Sequence, residues 1–202
     1  MTTEQTSTLK SARGRPKTLN CEETINIAMQ EYWLDENNDI SLNEICKRAK
    51  VSKPGIYREF GNEDGLMEAV LLKYENDVTS KLLNILNTKE TLAVKIEKIA
   101  DYMTLTTKDV RGCLLVKIKN AKVKKGPKSQ KQICAMQDNL LEAYEQCIKN
   151  AIADGQFKSD ISTKLASEYF NAQVNNAALL ILEGKENKKV RDILILSLSI
   201  FI

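Results

Sequence analysis

The chain has no histidine. This removes the commonest general base and the commonest transition-metal ligand, so triad hydrolysis, imidazole acid–base chemistry and most metal sites are not expected. There is also no run of eighteen apolar residues, and the first ten residues, MTTEQTSTLK, are polar rather than charged-then-apolar. Neither a membrane span nor a secretory signal is therefore expected; a cytoplasmic location and no membrane partner are. Cysteine is sparse. Cys21, Cys46, Cys113, Cys134 and Cys147 are odd in number, scattered and without a CxxC pair, which fits reduced thiols better than a disulfide framework or a zinc site. No phosphate-cradling glycine loop and no motif of paired carboxylates occurs, so an enzyme is not expected and no cofactor is implied. Strand-like alternation, Asn-Gly hairpin signals and solenoid-length repeats are missing too, which leaves helical periodicity as the dominant pattern and an all-α fold as the expectation. Nor is there a global excess of one charge. The net charge of the 202 residues is +3, and residues 1–80 carry 10 basic against 14 acidic side chains. Any case for nucleic-acid binding must rest on where the charges sit.

They sit in two clusters. Lys10, Arg13, Arg15 and Lys17 form a basic arm without an intervening acid, and Lys47, Arg48, Lys50, Lys53 and Arg58 form a second group. The acids Glu22, Glu23, Glu31, Asp35, Glu36 and Asp39 lie in or beside the preceding helical segment. The second basic cluster falls within residues 41–60, SLNEICKRAKVSKPGIYREF. Ser41 followed by Glu44 has capping-box spacing, and Leu42, Ile45, Cys46 and Ala49 share one helical face. Val51 supplies an apolar plug for a turn. Ser52 then suits the cap of a second helix that carries Pro54 in its first turn, where a missing N–H costs no intrahelical bond. Lys53, Tyr57 and Arg58 point outward in that helix, while Ile56 and Phe60 fall on the inward side. Two capped amphipathic helices around a tight turn, the second cationic and aromatic, have the form of a DNA-reading helix-turn-helix.

These residues resemble the DNA-binding domain of the TetR family of transcriptional regulators. The resemblance extends upstream to TINIAMQEY, with Ile25, Ala28, Met29 and Tyr32 as a buried stripe, and downstream through the Phe-Gly-Asn junction at 60–62 to Val70 and on to Val78. It implies a flexible basic arm at 1–17, a helix-turn-helix DNA-binding domain at 18–78 with its motif at 41–60, and a helical ligand-binding and dimerisation domain at 79–202. It implies contacts to double-stranded operator DNA from Arg13, Arg15, Lys17, Ser41, Ser52, Lys53, Pro54, Gly55, Tyr57, Arg58 and Asn62. Two departures stand out. Lys50 occupies a turn position that is usually Gly, where a positive φ costs a side-chain-bearing residue about 1–2 kcal/mol and favours a reshaped turn. Glu63 and Asp64 replace a phosphate-contacting Lys at the start of the fourth helix; they suit the helix dipole but repel DNA.

Beyond the motif, spacing predicts a linking helix over 62–86 with Leu66, Val70, Tyr74, Val78 and Leu82 as its stripe. Further helices are predicted over 91–104, 111–123, 128–153, 162–182 and 188–201, the last frayed or docked. The stretches RGCLLVKIKNA and IADGQFKSDIS resemble parts of the TetR-like ligand-binding domain. Ile133, Leu140, Tyr144, Cys147, Tyr169, Phe170, Ala177 and Ile181 form apolar faces on two long helices, read as a homodimer interface or, alternatively, as intramolecular core. The resemblance implies a small-molecule effector of unknown identity. Tyr102, Met103, Cys113, Lys117, Gln137, Tyr144 and Gln173 are its candidate lining. Arg111 and Lys117 near Cys113 leave open a cysteine-based redox or electrophile sensor, and the nine basic residues of 108–131 read as a solvated stretch. The expectation is a ligand-responsive repressor that binds a palindromic operator as a homodimer. The alternative is an all-α small-molecule carrier with a vestigial helix-turn-helix.

Overall fold

Side-chain caps mark where the chain enters its helices in the computed structural model, which describes residues 19–35, 40–105, 112–121, 125–157 and 160–202. Asn20 caps α1 (Cys21–Leu34), Ser41 caps α2 (Leu42–Ala49) and Ser52 caps α3 (Lys53–Phe60), each side-chain oxygen accepting from the backbone N–H three residues on. Asn62 does the same for α4 (Glu63–Tyr74), where its Oδ1 lies 2.9 Å from the Gly65 nitrogen. Each cap satisfies one of the four N–H groups that a helix leaves unpaired at its start. The reciprocal half of the predicted capping box is used differently: the Glu44 carboxylate accepts from Arg48 Nε at 3.1 Å.

The linking helix is one rod over residues 63–86 but not a uniform one. α4 passes through a π-helical turn, Glu75–Thr79, into α5 (Ser80–Leu86), with right-handed helical dihedrals at every junction. One inserted residue of this kind rotates the faces on either side relative to each other, and such turns often mark functional positions. Glu75, at its start, is held by side chains of the later helix α8 (Pro127–Ala153): Gln132 Nε2 donates at 2.6 Å and Asn139 Nδ2 at 3.1 Å. The rod ends on a buried cation, for Lys95 of α6 (Leu92–Thr104) donates to the Leu86 carbonyl at 2.9 Å, a favourable place for positive charge.

α7 (Leu114–Asn120) is shorter than the 111–123 helix read from sequence. The long pair α8 (Pro127–Ala153) and α9 (Thr163–Leu182) follows, and α10 (Asn187–Leu198) continues into a 3-10 turn, Ser199–Phe201. Val190, Leu194, Leu198 and Phe201 are buried, so this last segment is docked. Among the described residues there is no strand, and no described helix is long and apolar enough to cross a membrane.

Two apolar cores result. One joins α5, α6, α8, α9 and α10 around Ile96, Tyr144, Phe170, Ile181 and Leu198. The other gathers Ala28, Ile45, Ile56, Leu66 and Val70 from α1 to α4, and is closed by Leu114, Leu115 and Ile118 of α7 with Ile133 and Met136 of α8. The described residues of 19–78 therefore complete their core with side chains from later in the chain.

Candidate nucleic-acid interface and the cavity behind it

The turn between α2 and α3 keeps a left-handed residue without glycine. Lys50 sits at φ 54°, ψ 38°, and its N–H reaches back to the carbonyls of Cys46 and Lys47. The expected reshaping does not occur, because closing the α2 C-terminus compensates the steric cost at Lys50. Ile45, Cys46 and Ile56 are buried against α1 and α4, which orients α3 so that Tyr57 is 44% exposed and Arg58 is exposed beside it. Lys53 is half-buried, Ser41, Ser52, Pro54 and Asn62 are at the surface, and Gly55 is buried, a Cβ there meeting Ser52 Oγ at 3.2 Å. Burial pushes the Cys46 thiol above its ordinary pKa, in keeping with a small packing residue.

Not every cation of the cluster faces out. Arg48 forms ion pairs with Glu31 of α1 and with Glu44, so it ties α2 to α1. Arg58 Nε lies 3.0 Å from Glu59, an exposed pair that a phosphate can exchange for at small cost. Arg13, Arg15 and Lys17 lie outside the described residues, as does Arg111.

Asp64 departs from the expected role. From the first turn of α4 its carboxylate caps the start of α8, accepting from the nitrogens of Gly126 (3.0 Å), Lys128 (2.9 Å) and Ser129 (3.0 Å) and from Ser129 Oγ (2.5 Å). Desolvation raises its pKa, but the hydrogen bonds together outweigh it and hold the acid below its ordinary value. The charge that sequence alone reads as repelling DNA is used to clasp α4 to α8.

Behind the helix-turn-helix lies a cavity of about 380 Å³ between α1, the π turn, α6, α8 and α9. It brings together Tyr102, Met103, Cys113 and Tyr144 of the expected lining, but not the other three. Lys117 is buried elsewhere, its ammonium donating to the Trp33 carbonyl near the end of α1. Gln137 and Gln173 are half-buried and do not line the cavity. Sequence reasoning missed Trp33, Tyr74, Asn171 and Asn175, which do. The lone tryptophan at the end of α1 and two asparagines four residues apart on an apolar helix were the available signals. Trp33 packs edge-on against Tyr74 with centroids 5.3 Å apart, and its Nε1 donates to the Gly112 carbonyl at 3.1 Å. The Tyr74 hydroxyl donates to Cys113 Sγ at 3.3 Å, and that of Tyr102 to the Val78 carbonyl, inside the π turn, at 2.9 Å. Burial raises the pKa of all three phenols, Tyr74, Tyr102 and Tyr144, so at neutral pH they act as protonated donors.

The expected dimer residues are mostly interior. Ile133, Tyr144, Cys147, Phe170, Ala177 and Ile181 are buried within the subunit, and Leu140 and Tyr169 are half-buried. Two stripes on adjacent long helices found their partners in α4, α5, α6 and α10, so intramolecular packing accounts for them. Apolar exposure lies elsewhere: Leu165 and Leu179 on α9, Leu196 (73% exposed) on α10 and Ile200 just after it. α9 and α10 pack against each other, and the Tyr169 hydroxyl donates to the Ser197 carbonyl at 3.2 Å.

The architecture is thus a capped helix-turn-helix mounted on a helical domain that holds a cavity. The family model for bacterial regulatory proteins of the tetR family matches residues 38–70. The HTH-type transcriptional repressor ComR of Escherichia coli (strain K12) is 27% identical over 205 aligned positions, covering 96% of this chain and 94% of that protein. The fold is shared with the TetR family regulator CifR, solved as a cysteine mutant with a 26 bp operator duplex (TM-score 0.76, 17% identity, 92% of this chain and 98% of that one). It is also shared with FadR of Bacillus subtilis in complex with stearoyl-CoA (TM-score 0.69, 13% identity, 90% and 99%). Over residues 38–70 the chain is similar to the tetR family, and over about nine-tenths of its length it shares the fold of TetR family regulators.

Proposed function

We propose that this protein is a ligand-responsive transcriptional repressor that binds a palindromic operator as a homodimer. The observation that carries the reading is α3: capped by Ser52, anchored through Ile56, and presenting Tyr57 and Arg58 outward with Lys53 at its start. A phenol and two cations at the N-terminal and outer face of a short helix suit phosphate oxygens and base edges in the major groove. Ser41, Asn62 and the basic arm with Arg13, Arg15 and Lys17 add backbone contacts around it. The α9–α10 face around Leu196 and Ile200 serves dimerisation, which doubles α3 at a spacing of about 34 Å, one turn of DNA.

The cavity supplies the response. Trp33 belongs to α1 of the DNA-binding unit and stands in the cavity wall, so an occupant acts on that unit without an intermediary. A ligand that prefers one arrangement of the two DNA-binding units by about 100-fold, near 2.7 kcal/mol, clears the operator at ordinary occupancy. A salt-dependent gel shift with the DNA upstream of the protein's own gene tests the reading. A discrete complex that weakens with salt is expected, with a shallower salt slope once residues 1–15 are removed. No discrimination between that duplex and an unrelated one would favour a carrier protein instead.

A further inference from the structure

Within the cavity, the polar groups differ in whether the protein satisfies them. The Trp33 indole nitrogen, the Tyr74 hydroxyl and the Tyr102 hydroxyl each donate to an atom of the chain. Tyr144 does not. It is 1% exposed, it stands in the cavity wall, and its hydroxyl has no hydrogen-bond partner among the described residues. Its ring is stacked on Phe170 at 4.8 Å with the planes 26° apart, so the phenol is not placed to swing toward another acceptor. A buried hydroxyl left this way is destabilising unless something supplies the missing contact.

The rest of the wall says what that something is. Val78, Leu82, Met103, Leu105, Leu115, Leu140, Val174 and Ala178 make most of it apolar. Among the described residues no Asp or Glu lines it, and the one charged residue that does, Lys81, is exposed to solvent. A carboxylate drawn inward to Tyr144 would leave water for a largely apolar surround that offers only neutral donors. The volume lies toward the small end of the range for organic ligands.

We propose that the cavity selects a small, uncharged, largely apolar molecule whose single carbonyl or ether oxygen accepts the hydrogen bond of the Tyr144 hydroxyl at the buried end. This rests on the reading of the cavity as the effector site and adds the chemical class and the residue that sets it. Asn171 and Asn175, one helical turn apart on α9 and both half-buried, line a second polar edge for a substituent further out.

Trp33 is the chain's only tryptophan and lines the cavity, so its fluorescence reports occupancy. The test uses four probes of matched shape, cyclohexyl methyl ketone, ethylcyclohexane, cyclohexanecarboxylate and 1-cyclohexylethylamine, with calorimetry as the primary readout because the weak carbonyl band of the ketone overlaps tryptophan excitation. Each is titrated into the full-length protein and into Tyr144→Phe, an isosteric change that removes only the hydroxyl. The ketone is expected to bind best, and Tyr144→Phe to weaken it about tenfold, equivalent to 1.4 kcal/mol, while leaving the hydrocarbon unchanged. Tightest binding of the carboxylate, lost in Lys81→Ala, would overturn the proposal and leave the effector site standing. Equal losses for ketone and hydrocarbon in Tyr144→Phe would overturn it too, by making the residue merely structural. Silence of Trp33 and of calorimetry toward all four probes would overturn both the proposal and the effector-site reading beneath it.

Discussion

Replacing Asp64 by alanine removes an acceptor that serves three backbone nitrogens and one hydroxyl at the start of α8. An N-cap carboxylate contributes about 1–2 kcal/mol relative to alanine, and its charge at the helix N-terminus up to about 1 kcal/mol more. The first turn of α8 is partly solvated and its N–H groups can turn to water, so the expected loss is about 2 kcal/mol. For a chain of this size that lowers the melting temperature by about 4–8 °C. Gly126→Ala reaches the same clasp from the other side. Gly126 has extended backbone that alanine tolerates, but an added Cβ would lie 2.4 Å from Asp64 Cγ and force the carboxylate away. The two changes therefore should not add: Gly126→Ala is expected to be damaging in the parent protein and nearly neutral once Asp64 is alanine. The clasp also has a pH signature. Its folded pKa is depressed, so its contribution is present above the ordinary aspartate pKa and is lost as pH falls through the folded value. The stability gap between parent and Asp64→Ala, measured by urea unfolding, should close on acidification. Additive costs, or a gap that stays constant with pH, would refute the clasp.

Lys50→Gly relieves a left-handed residue of about 1–2 kcal/mol of strain while adding about 0.5–1 kcal/mol of unfolded-state entropy, so a net stabilisation of about 0.5–1 kcal/mol is expected in thermal denaturation. Gly65→Ala should behave in the opposite way. A Cβ there would stand 1.9 Å from the Phe60 carbonyl oxygen, a backbone atom with nowhere to go, and a loss of about 3 kcal/mol or more is expected, with α3 displaced and DNA binding impaired. Leu196→Glu combined with Ile200→Glu places two charges on the exposed α9–α10 face; sedimentation should find a folded monomer, and an intact dimer would move the interface elsewhere.

The DNA-binding end was legible in the sequence because its signals are local. Ser41 and Ser52 cap the helices beside them, and Leu42, Ile45 and Ile56 follow a helical period within twenty residues. What escaped depends on contacts far apart in the chain. Asp64 meets residues 126–129 only after folding, and nothing in its neighbourhood marks it as a cap for α8. Lys117 reads as a cavity cation until α7 is seen to deliver it to the end of α1. The apolar faces of α8 and α9 were visible, but periodicity reports that a face is covered, not by what. Ile133, Tyr144 and Phe170 proved to be interior, and the exposed face fell to α10, a short helix whose apolar run reads as core. The π turn at 75–79 has no composition of its own to announce it.

The account depends most on α3 as the reader of DNA. Fluorescence anisotropy with a labelled duplex from upstream of the gene, competed by unrelated duplex, tests this in the parent protein and in Tyr57→Ala. The account predicts a dimer bound to the upstream duplex in preference to the competitor, and a Tyr57→Ala protein that is still dimeric but no longer tells the two duplexes apart. A Tyr57→Ala protein with undiminished preference would contradict it.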